Sequence, residues 1–279
     1  MYQIIDGKRI SQEIKDELRE KVAVLKEQGK TFTLAVIQVG NDPASSVYVG
    51  NKKKACAYIG IESLSYELPQ ETTEDELLKL VRELNNNSAV GGILVQLPLP
   101  EHIDEEKVLL TISPAKDVDG FHPENVGNLS IGRPGFVSCT PAGVIQLLKR
   151  SGIEIEGKEC VVLGRSNIVG KPMAMLLLRE NGTVTVCHSR TKNLKEITRR
   201  ADILVVAIGK PKFVDASYVK EGAVVIDVGI HRNENNKLCG DVDFDSVAPH
   251  TSAITPVPGG VGPMTIAMLM SNCMNGMPK

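Results

Sequence analysis

The chain has 279 residues, of which 42% are hydrophobic, so it is long enough for one large domain or two of ordinary size, and we expect two. Its formal net charge of -2 at pH 7 provides no overall field that would recruit nucleic acid or an anionic membrane. No apolar stretch reaches the roughly 18 to 20 residues that cross a bilayer, and the N-terminal residues lack a signal-peptide pattern, so we expect a cytoplasmic protein with a small-molecule substrate.

Short β-rich runs alternate with helical patterns from end to end, which predicts an α/β fold with largely parallel sheets. Three helix ends have recognisable caps: Asp42 before Pro43, Thr140 before Pro141, and Gly152 after the helix that starts at Pro141. The predicted strands cover residues 33–39, 63–68, 92–97, 159–163, 183–187, 203–208 and 223–228.

The stretch 113–139 is dense in glycine, proline and aspartate, which is typical of a domain boundary. We predict two α/β domains that flank a cleft. The first, catalytic domain covers residues 1–139 plus 262–279, and the second, a Rossmann-type domain, covers residues 140–261. The cleft, at the carboxyl ends of the parallel strands, is the expected place for a small-molecule site.

The segment YVGNKKK, residues 48–54, places three consecutive lysines on a predicted helix. At about 100° per residue, Lys52 lies on the same apolar stripe as Tyr48 and Ile59, whereas its two lysine neighbours point away. A lysine drawn towards a core or cleft loses hydration and becomes usable as a general acid or base near neutral pH. The alternative is that Lys52 packs only its stem and extends its ammonium group into solvent, and helical geometry alone favours neither.

The run GGILVQLPLP predicts a buried strand that ends at Gln96, where Pro98 and Pro100 stop it. The Gln96 amide can face the cleft and bind a polar ligand or the lysine, or it can cap the loop. Further along, Asp117 and Asp119 in KDVDGFHP are turn formers, or one of them pairs with a ring N–H group of a substrate.

The segment GRSNIVGKP, residues 164–172, follows an apolar strand as a phosphate loop would, and the helix N-terminus after it would stabilise an anion. Ser166 and Val169 stand where the G-x-G-x-x-G pattern has its second and third glycines. The loop is either a plain strand-to-helix connection or a variant nucleotide site. In the second case Ser166 is an extra phosphate donor and Gly170 allows the helix to approach closely.

The next strand, in TVTVCHSRT, favours the nucleotide interpretation. NAD-binding folds place a carboxylate at its end to hold the ribose 2′-hydroxyl, but residues 188–191 offer hydroxyls and a cation instead. The Arg165 guanidinium can make a bidentate contact with a 2′-phosphate, although it can also be a solvated surface arginine. We therefore predict that NADP is preferred over NAD through Arg165 and Ser189.

Near the C-terminus, the segment TPVPGGVGPMT at residues 255–265 contains three prolines and three glycines. It is either a rigid connector between domains or a loop beside a flat ring ligand.

No metal site is predicted. The six cysteines are scattered without a C-x-x-C pair, which favours reduced core thiols, and the histidines lack metal-binding spacing. In the acidic run Asp241, Asp243 and Asp245, the following Ser246 stands where the turn of an EF-hand requires glycine.

Seven segments lie in order along essentially the whole chain: YVGNK (48–52), VQLPLP (95–100), DVDGF (117–121), CTPAG (139–143), GRSNIVGKPM (164–173), DVGI (227–230) and PVPGGVGPMT (256–265). Together they resemble the bifunctional methylenetetrahydrofolate dehydrogenase/methenyltetrahydrofolate cyclohydrolase family. The resemblance implies NADP-dependent oxidation of 5,10-methylenetetrahydrofolate to the methenyl cation, followed by hydrolysis to 10-formyltetrahydrofolate. It also implies a homodimer that pairs through the NADP-binding domain.

The same resemblance implies roles for individual residues. Lys52 would be the main catalytic group, Gln96 would hold and tune it, and Asp119 would bind the pterin ring as part of the catalytic set. Tyr48 would stack on the aminobenzoate part of the folate. The other residues implied at the folate are Val95, Leu97, Pro258, Gly259, Gly260 and Gly262. Those implied at NADP are Gly164, Arg165, Ser166, Ser189 and Ile230.

Two alternatives stay open at this point. A monofunctional dehydrogenase would carry out the oxidation without the hydrolysis. A noncatalytic NADP-binding sensor would carry out neither the oxidation nor the hydrolysis, and it would have no use for Lys52, Gln96 and Asp119.

Overall fold

The computed structural model describes residues 2–276, which form two compact units. The three-stranded unit consists of residues 12–137 and 266–276, and the six-stranded unit consists of residues 2–11 and 138–265.

The helices, numbered α1 to α10 in chain order, are Gly7–Glu27, Pro43–Ile59, Glu74–Asn86, Glu105–Thr111, Pro123–Ser130, Cys139–Arg150, Gly170–Arg179, Leu194–Thr198, Phe244–Val247 and Val261–Asn275. The strands, numbered β1 to β11, are Gln3–Ile4, Thr33–Val39, Glu62–Leu68, Gly92–Val95, Glu159–Leu163, Thr183–Cys187, Ile203–Val206, Ala223–Asp227, His231–Arg232, Leu238–Cys239 and Thr251–Ile254. Within the described part of the chain, no helix is both long and apolar enough to span a membrane.

The three-stranded unit is built on a parallel sheet in the order β3-β2-β4. The central strand β2 is buried along its whole length, as expected for an apolar strand covered on both faces. Helix α2 connects β2 to β3 and α3 connects β3 to β4, which is the crossover that parallel neighbours need. Leu77 and Val81 of α3 pack with Ile93 of β4 in the core of this unit.

The six-stranded unit contains a fully parallel sheet in the order β6-β5-β7-β8-β11-β1. From β5 the chain proceeds first to β6 on one side and then to β7 on the other, so the strand order reverses between β5 and β7. In doubly wound sheets, ligands bind at the carboxyl ends of the strands beside such a reversal. A separate antiparallel pair joins β9 to β10.

The predicted α/β class and parallel sheets are confirmed, and β2, β5 and β6 match their predicted bounds. The Asp42 cap is confirmed because its carboxylate accepts a hydrogen bond from the Ser45 N–H at 2.7 Å. Gly152 has a φ of 72°, the left-handed conformation expected after a helix end. The Thr140 cap was wrong, because α6 begins at Cys139, two residues before the predicted start at Pro141, and the Thr140 hydroxyl instead lies 2.9 Å from the Thr265 hydroxyl.

The predicted domain boundaries differ from the observed units mainly at the N-terminus. Residues 2–11 group with the six-stranded unit, because β1 pairs with β11 and the Ile5 N–H donates to the Ile254 carbonyl at 2.9 Å. The short strands β1, β9, β10 and β11 were also absent from the predicted set.

Candidate active site

Helix α2 places Lys52 in a buried position in the three-stranded unit. Its surface is 9% exposed, whereas Lys54 is exposed and Lys53 forms an ion pair with Glu67 at 2.8 Å. The apolar stripe on which it was predicted to lie is buried too, with Ile59 at 1% exposure. Of the two interpretations of this lysine, the structure supports the one in which the whole side chain turns inward.

The Lys52 ammonium group donates a hydrogen bond to Gln96 Oε1 at 3.0 Å. Gln96 lies directly after β4, and its backbone N–H donates to the Ile37 carbonyl of β2 at 2.8 Å. Its amide Nε2 donates to the Leu97 carbonyl at 2.6 Å, which fixes the amide with its oxygen towards the lysine. The structure therefore joins these two predicted site residues, and the amide holds the ammonium group in one place.

Asp119 lies in a loop that runs beside β4. A parallel bridge between Ile93 and Asp117 aligns the loop with the strand, so that residue 119 is carried towards the strand end where Gln96 lies. The Asp117 carboxylate accepts hydrogen bonds from the His122 N–H at 2.8 Å and the Asn125 amide at 2.9 Å. Asp117 thus forms the turn, and Asp119 is the carboxyl group left for a ligand.

Burial raises the pKa of Asp119 to about 6. The positive charge of Lys52 opposes this rise, and the negative charge of Asp117 adds to it. Asp119 as a whole is half-buried. Lys52, Gln96 and Asp119 therefore form one electrostatically linked group.

A residue that the sequence did not indicate holds the Asp119 loop in place. Asn272 of α10 is 9% exposed, and its amide donates to the Val118 carbonyl at 2.8 Å and the Val137 carbonyl at 2.9 Å. The Val118 carbonyl belongs to the peptide group that immediately precedes Asp119. Because the two residues are 154 positions apart, no local pattern could have revealed this contact.

The remaining predicted folate residues of this unit differ in whether their side chains can reach a ligand. Tyr48 is half-buried one helical turn before Lys52, so its ring can border the same space. The Val95 side chain belongs to the hydrophobic core and Leu97 packs against that core. A ligand contact by Val95 would therefore come from its backbone.

In the six-stranded unit, two glycines of the GRSNIVGKP loop are required by close backbone approaches. A Cβ atom on Gly164, whose φ is 132°, would lie 2.1 Å from the Ala207 carbonyl oxygen. A Cβ atom on Gly170 would lie 2.3 Å from the Gly164 carbonyl oxygen. The predicted close approach of the helix at Gly170 is thus confirmed.

Ser166 forms the local cap of α7. Its hydroxyl oxygen accepts hydrogen bonds from the N–H groups of Val169 at 3.2 Å and Gly170 at 3.3 Å. The hydroxyl hydrogen remains available to donate, so the predicted role as a phosphate donor is compatible with this geometry and stays a prediction.

Arg165 and Ser189 lie at the same edge of the sheet. Leu163 of β5 pairs with Cys187 of β6, and Arg165 and Ser189 are each two residues beyond that pair. Both are exposed, and Arg165 forms no hydrogen bond or ion pair with any residue in the range 2–276. A hydroxyl and an uncommitted guanidinium thus stand together where an NAD-specific site would have a carboxylate.

Ile230 follows β8 at the same edge and is 48% exposed. A glycine turn without room for a Cβ atom, the N-terminus of α7 and a cationic strand end are together suited to a dinucleotide with a 2′-phosphate. The residues present therefore fit NADP.

The proline- and glycine-rich segment before α10 is packed against the start of α1. The Lys8 N–H donates to the Gly259 carbonyl at 3.1 Å, and a Cβ atom on Gly7 would lie 1.8 Å from the Gly260 carbonyl oxygen. Gly259 has a φ of 107°, so only glycine adopts its conformation without strain. A Cβ atom on Gly262 meets nothing within 4 Å, and Pro258 follows a cis peptide bond.

Among residues 2–276, no group of three or more histidine, cysteine, aspartate or glutamate side chains is arranged to hold a metal ion. All six cysteines are free thiols.

Comparison with known proteins covers both units. Residues 5–119 match the family model described as "Tetrahydrofolate dehydrogenase/cyclohydrolase, catalytic domain". Residues 138–279 match the model described as "Tetrahydrofolate dehydrogenase/cyclohydrolase, NAD(P)-binding domain". The "Bifunctional protein FolD" of Lachnoclostridium phytofermentans is 76% identical over 279 residues, which are 100% of this chain and 99% of that protein.

Two solved structures show the same similarity in three dimensions. The bifunctional FolD methylenetetrahydrofolate dehydrogenase/cyclohydrolase of Campylobacter jejuni has a TM-score of 0.97 and 52% identity, covering 99% of this chain and 98% of that one. The Trypanosoma brucei methylenetetrahydrofolate dehydrogenase-cyclohydrolase, solved with NADP cofactor and an inhibitor, has a TM-score of 0.93 and 43% identity, covering 99% and 97%.

Proposed function

The chain belongs to the tetrahydrofolate dehydrogenase/cyclohydrolase family and is a bifunctional oxidoreductase and hydrolase of folate metabolism; from that premise we propose which of its residues carry the two reactions. The first reaction oxidises 5,10-methylenetetrahydrofolate with NADP, and the second hydrolyses 5,10-methenyltetrahydrofolate to 10-formyltetrahydrofolate. The three-stranded unit is the folate-binding unit and the six-stranded unit binds NADP.

The partly buried hydrogen bond between Lys52 and Gln96, next to the Asp119 carboxyl group, is the observation that carries the assignment of the folate site. In its ionised form, Asp119 accepts hydrogen bonds from N–H groups of the pterin ring. The Tyr48 ring borders the aminobenzoate part. These contacts orient the one-carbon unit, and orientation is the main requirement for hydride transfer. Bound NADP supplies the hydride acceptor.

Hydrolysis makes a different demand on the protein. A water molecule adds to the cationic methenyl carbon and loses a proton, and N5 of the folate gains a proton when its bond to that carbon breaks. We assign both transfers to Lys52: its amine form takes the first proton, and the ammonium form that results gives N5 its proton. The remaining hydroxyl proton leaves to solvent as the formyl C=O forms, so one proton is released overall. Gln96 Oε1 keeps the amine in position through the 3.0 Å hydrogen bond.

At the cofactor, the exposed Arg165 and Ser189 hold the 2′-phosphate, and the turn at Gly164 together with Ser166 binds the diphosphate. Ile230 provides an apolar contact at the same sheet edge. Because a carboxylate is missing from the end of β6, NADP is preferred over NAD.

Two further observations support a homodimer and a cytoplasmic location. Strand β6 is at the edge of its sheet, with Val186 39% exposed, and Leu178 on the preceding helix is 57% exposed. An unpaired, partly apolar edge of this kind supports a homodimer that pairs through the NADP-binding unit. The six free cysteines support a reducing, cytoplasmic location.

An assay with separate readouts tests the proposal and its alternatives. The protein is incubated with methylenetetrahydrofolate and NADP, and NADPH, methenyl product and formyl product are each followed. We expect NADPH to form, and the formyl product to appear faster than methenyltetrahydrofolate hydrolyses spontaneously. Methenyl product that decays only at its spontaneous rate would leave a monofunctional dehydrogenase, and an absence of NADPH would contradict both enzymatic assignments.

A further inference from the structure

A buried acidic network at the carboxyl ends of β7 and β8 includes none of the residues proposed to bind folate or NADP. Asp227, the last residue of β8, is 3% exposed, and Asp241 is fully buried at 0%. The Asp227 carboxylate accepts hydrogen bonds from the N–H groups of Gly229 at 2.9 Å, Asp241 at 3.0 Å and Val242 at 3.0 Å. Asp227 therefore fixes the backbone from which the Asp241 side chain extends.

The Asp241 carboxylate in turn binds the loop that follows β7. Its Oδ2 accepts hydrogen bonds from the N–H groups of Ile208 at 2.7 Å and Gly209 at 3.0 Å, and its Oδ1 accepts one from Lys210 at 2.8 Å. His231 Nε2 donates to the same Oδ1 at 2.7 Å. One carboxylate thus connects three consecutive residues after β7 with the residue next to Ile230.

Two glycines leave the space that the two acidic residues occupy. A Cβ atom on Gly240 would lie 1.8 Å from Asp227 Oδ2, and one on Gly229 would lie 2.4 Å from the Asp241 backbone nitrogen. Burial raises the pKa of Asp227 to about 7, although the N–H donors of Val242 and Asp241 oppose the rise. Retaining two buried acids is energetically unfavourable, which suggests a function beyond packing.

The loop after β7 forms one wall of the strand-order reversal. Ala207 begins this loop, and its carbonyl oxygen is the atom that a Cβ on Gly164 would meet at 2.1 Å. Three consecutive N–H groups at such an edge form an anion-binding nest, and here the Asp241 carboxylate fills it. These three N–H groups are therefore not available to a ligand phosphate.

We propose that Asp241 is a positioning residue for NADP: as an internal anion it holds the β7 loop against the Gly164 turn and, through His231, fixes the segment that carries Ile230. Asp227 positions Asp241. This inference rests on the proposed function, because it assumes that the Gly164 turn and Ile230 contact the cofactor.

Calorimetric titration of the whole protein with NADP, without folate, tests the inference. Asp241→Asn keeps the shape of the side chain but points an NH₂ group at backbone N–H donors. The matched control is Asp243→Asn, two residues further on, which removes only an ion pair with Lys212 at 3.1 Å. Losing a charged hydrogen-bond acceptor predicts a rise of about ten-fold or more in the Kd for NADP in Asp241→Asn. Asp243→Asn should bind as the wild type does, and the KM for methylenetetrahydrofolate should stay within about two-fold in both variants.

A folded Asp241→Asn protein with a lower Tm and an unchanged Kd for NADP would show a purely structural role and overturn the inference. If circular dichroism shows that this variant does not fold, His231→Ala decides, because it removes the imidazole N–H that donates to Asp241 Oδ1 at 2.7 Å. We expect its Kd for NADP to rise about three-fold, and an unchanged value would overturn the inference. A wild-type protein that binds no NADP would contradict the proposed function instead.

Discussion

Replacing Lys52 with methionine separates the two reactions. Methionine matches the lysine stem in length and fills the 9% exposed site, so the fold loses one hydrogen bond to the half-exposed Gln96, about 1 kcal/mol. The cyclohydrolase loses its proton-transfer group, which predicts a fall of about 10²- to 10⁴-fold in that activity. Hydride transfer depends on positioning, so the dehydrogenase activity should fall much less.

The two activities are measured on the same preparation, by NADPH formation from methylenetetrahydrofolate and by loss of methenyltetrahydrofolate above its spontaneous rate. Lys54→Met is the matched control, because Lys54 lies two residues further along α2 and is exposed. It should change neither activity. Equal loss of both activities in Lys52→Met, with folate binding intact, would refute the proton-transfer role of Lys52.

Two further outcomes follow from the cofactor and folate sites. Arg165→Ala should reduce the preference for NADP over NAD, measured as the ratio of the two kcat/KM values, by about ten- to a hundred-fold. The control variant Arg179→Ala, at the C-terminal end of α7, should leave this ratio as it is in the wild type. A wild-type ratio in Arg165→Ala would refute the phosphate contact. Burial raises the pKa of Asp119 to about 6, so this carboxyl group ionises as the pH rises through about 6, and kcat/KM for methylenetetrahydrofolate should rise over the same range. Asp119→Asn should lower kcat/KM and remove that step from the pH profile, and a step that persists in the variant would assign it to another group.

The sequence predicted those features that depend on local patterns. Strands β2 and β5 were placed correctly because each is a short apolar run with clear ends. The angular spacing of a helix placed Lys52 on the apolar stripe, but it left open whether the ammonium group turns inward or extends into solvent. Gly170 was predicted as the point of close helix approach because a glycine loop after a strand has few possible geometries.

Features that depend on distant residues could not be predicted in this way. Strand β1 has only two residues, too few for any periodicity, and its partner β11 lies near the other end of the chain. The acidic run at Asp241 was considered only as a metal loop. Its actual partners, the N–H groups that follow β7, lie more than thirty positions earlier in the sequence and carry no side-chain signal. The raised pKa of Asp119 likewise arises from burial by the folded chain.

A crystal structure with NADP and a folate analogue tests the residue assignments most directly. We predict that Lys52 and Asp119 contact the folate, with Lys52 Nζ next to the position of the one-carbon unit. We also predict that Arg165 and Ser189 bind the 2′-phosphate. A folate analogue bound away from Lys52, or a 2′-phosphate contacted by neither Arg165 nor Ser189, would refute these assignments.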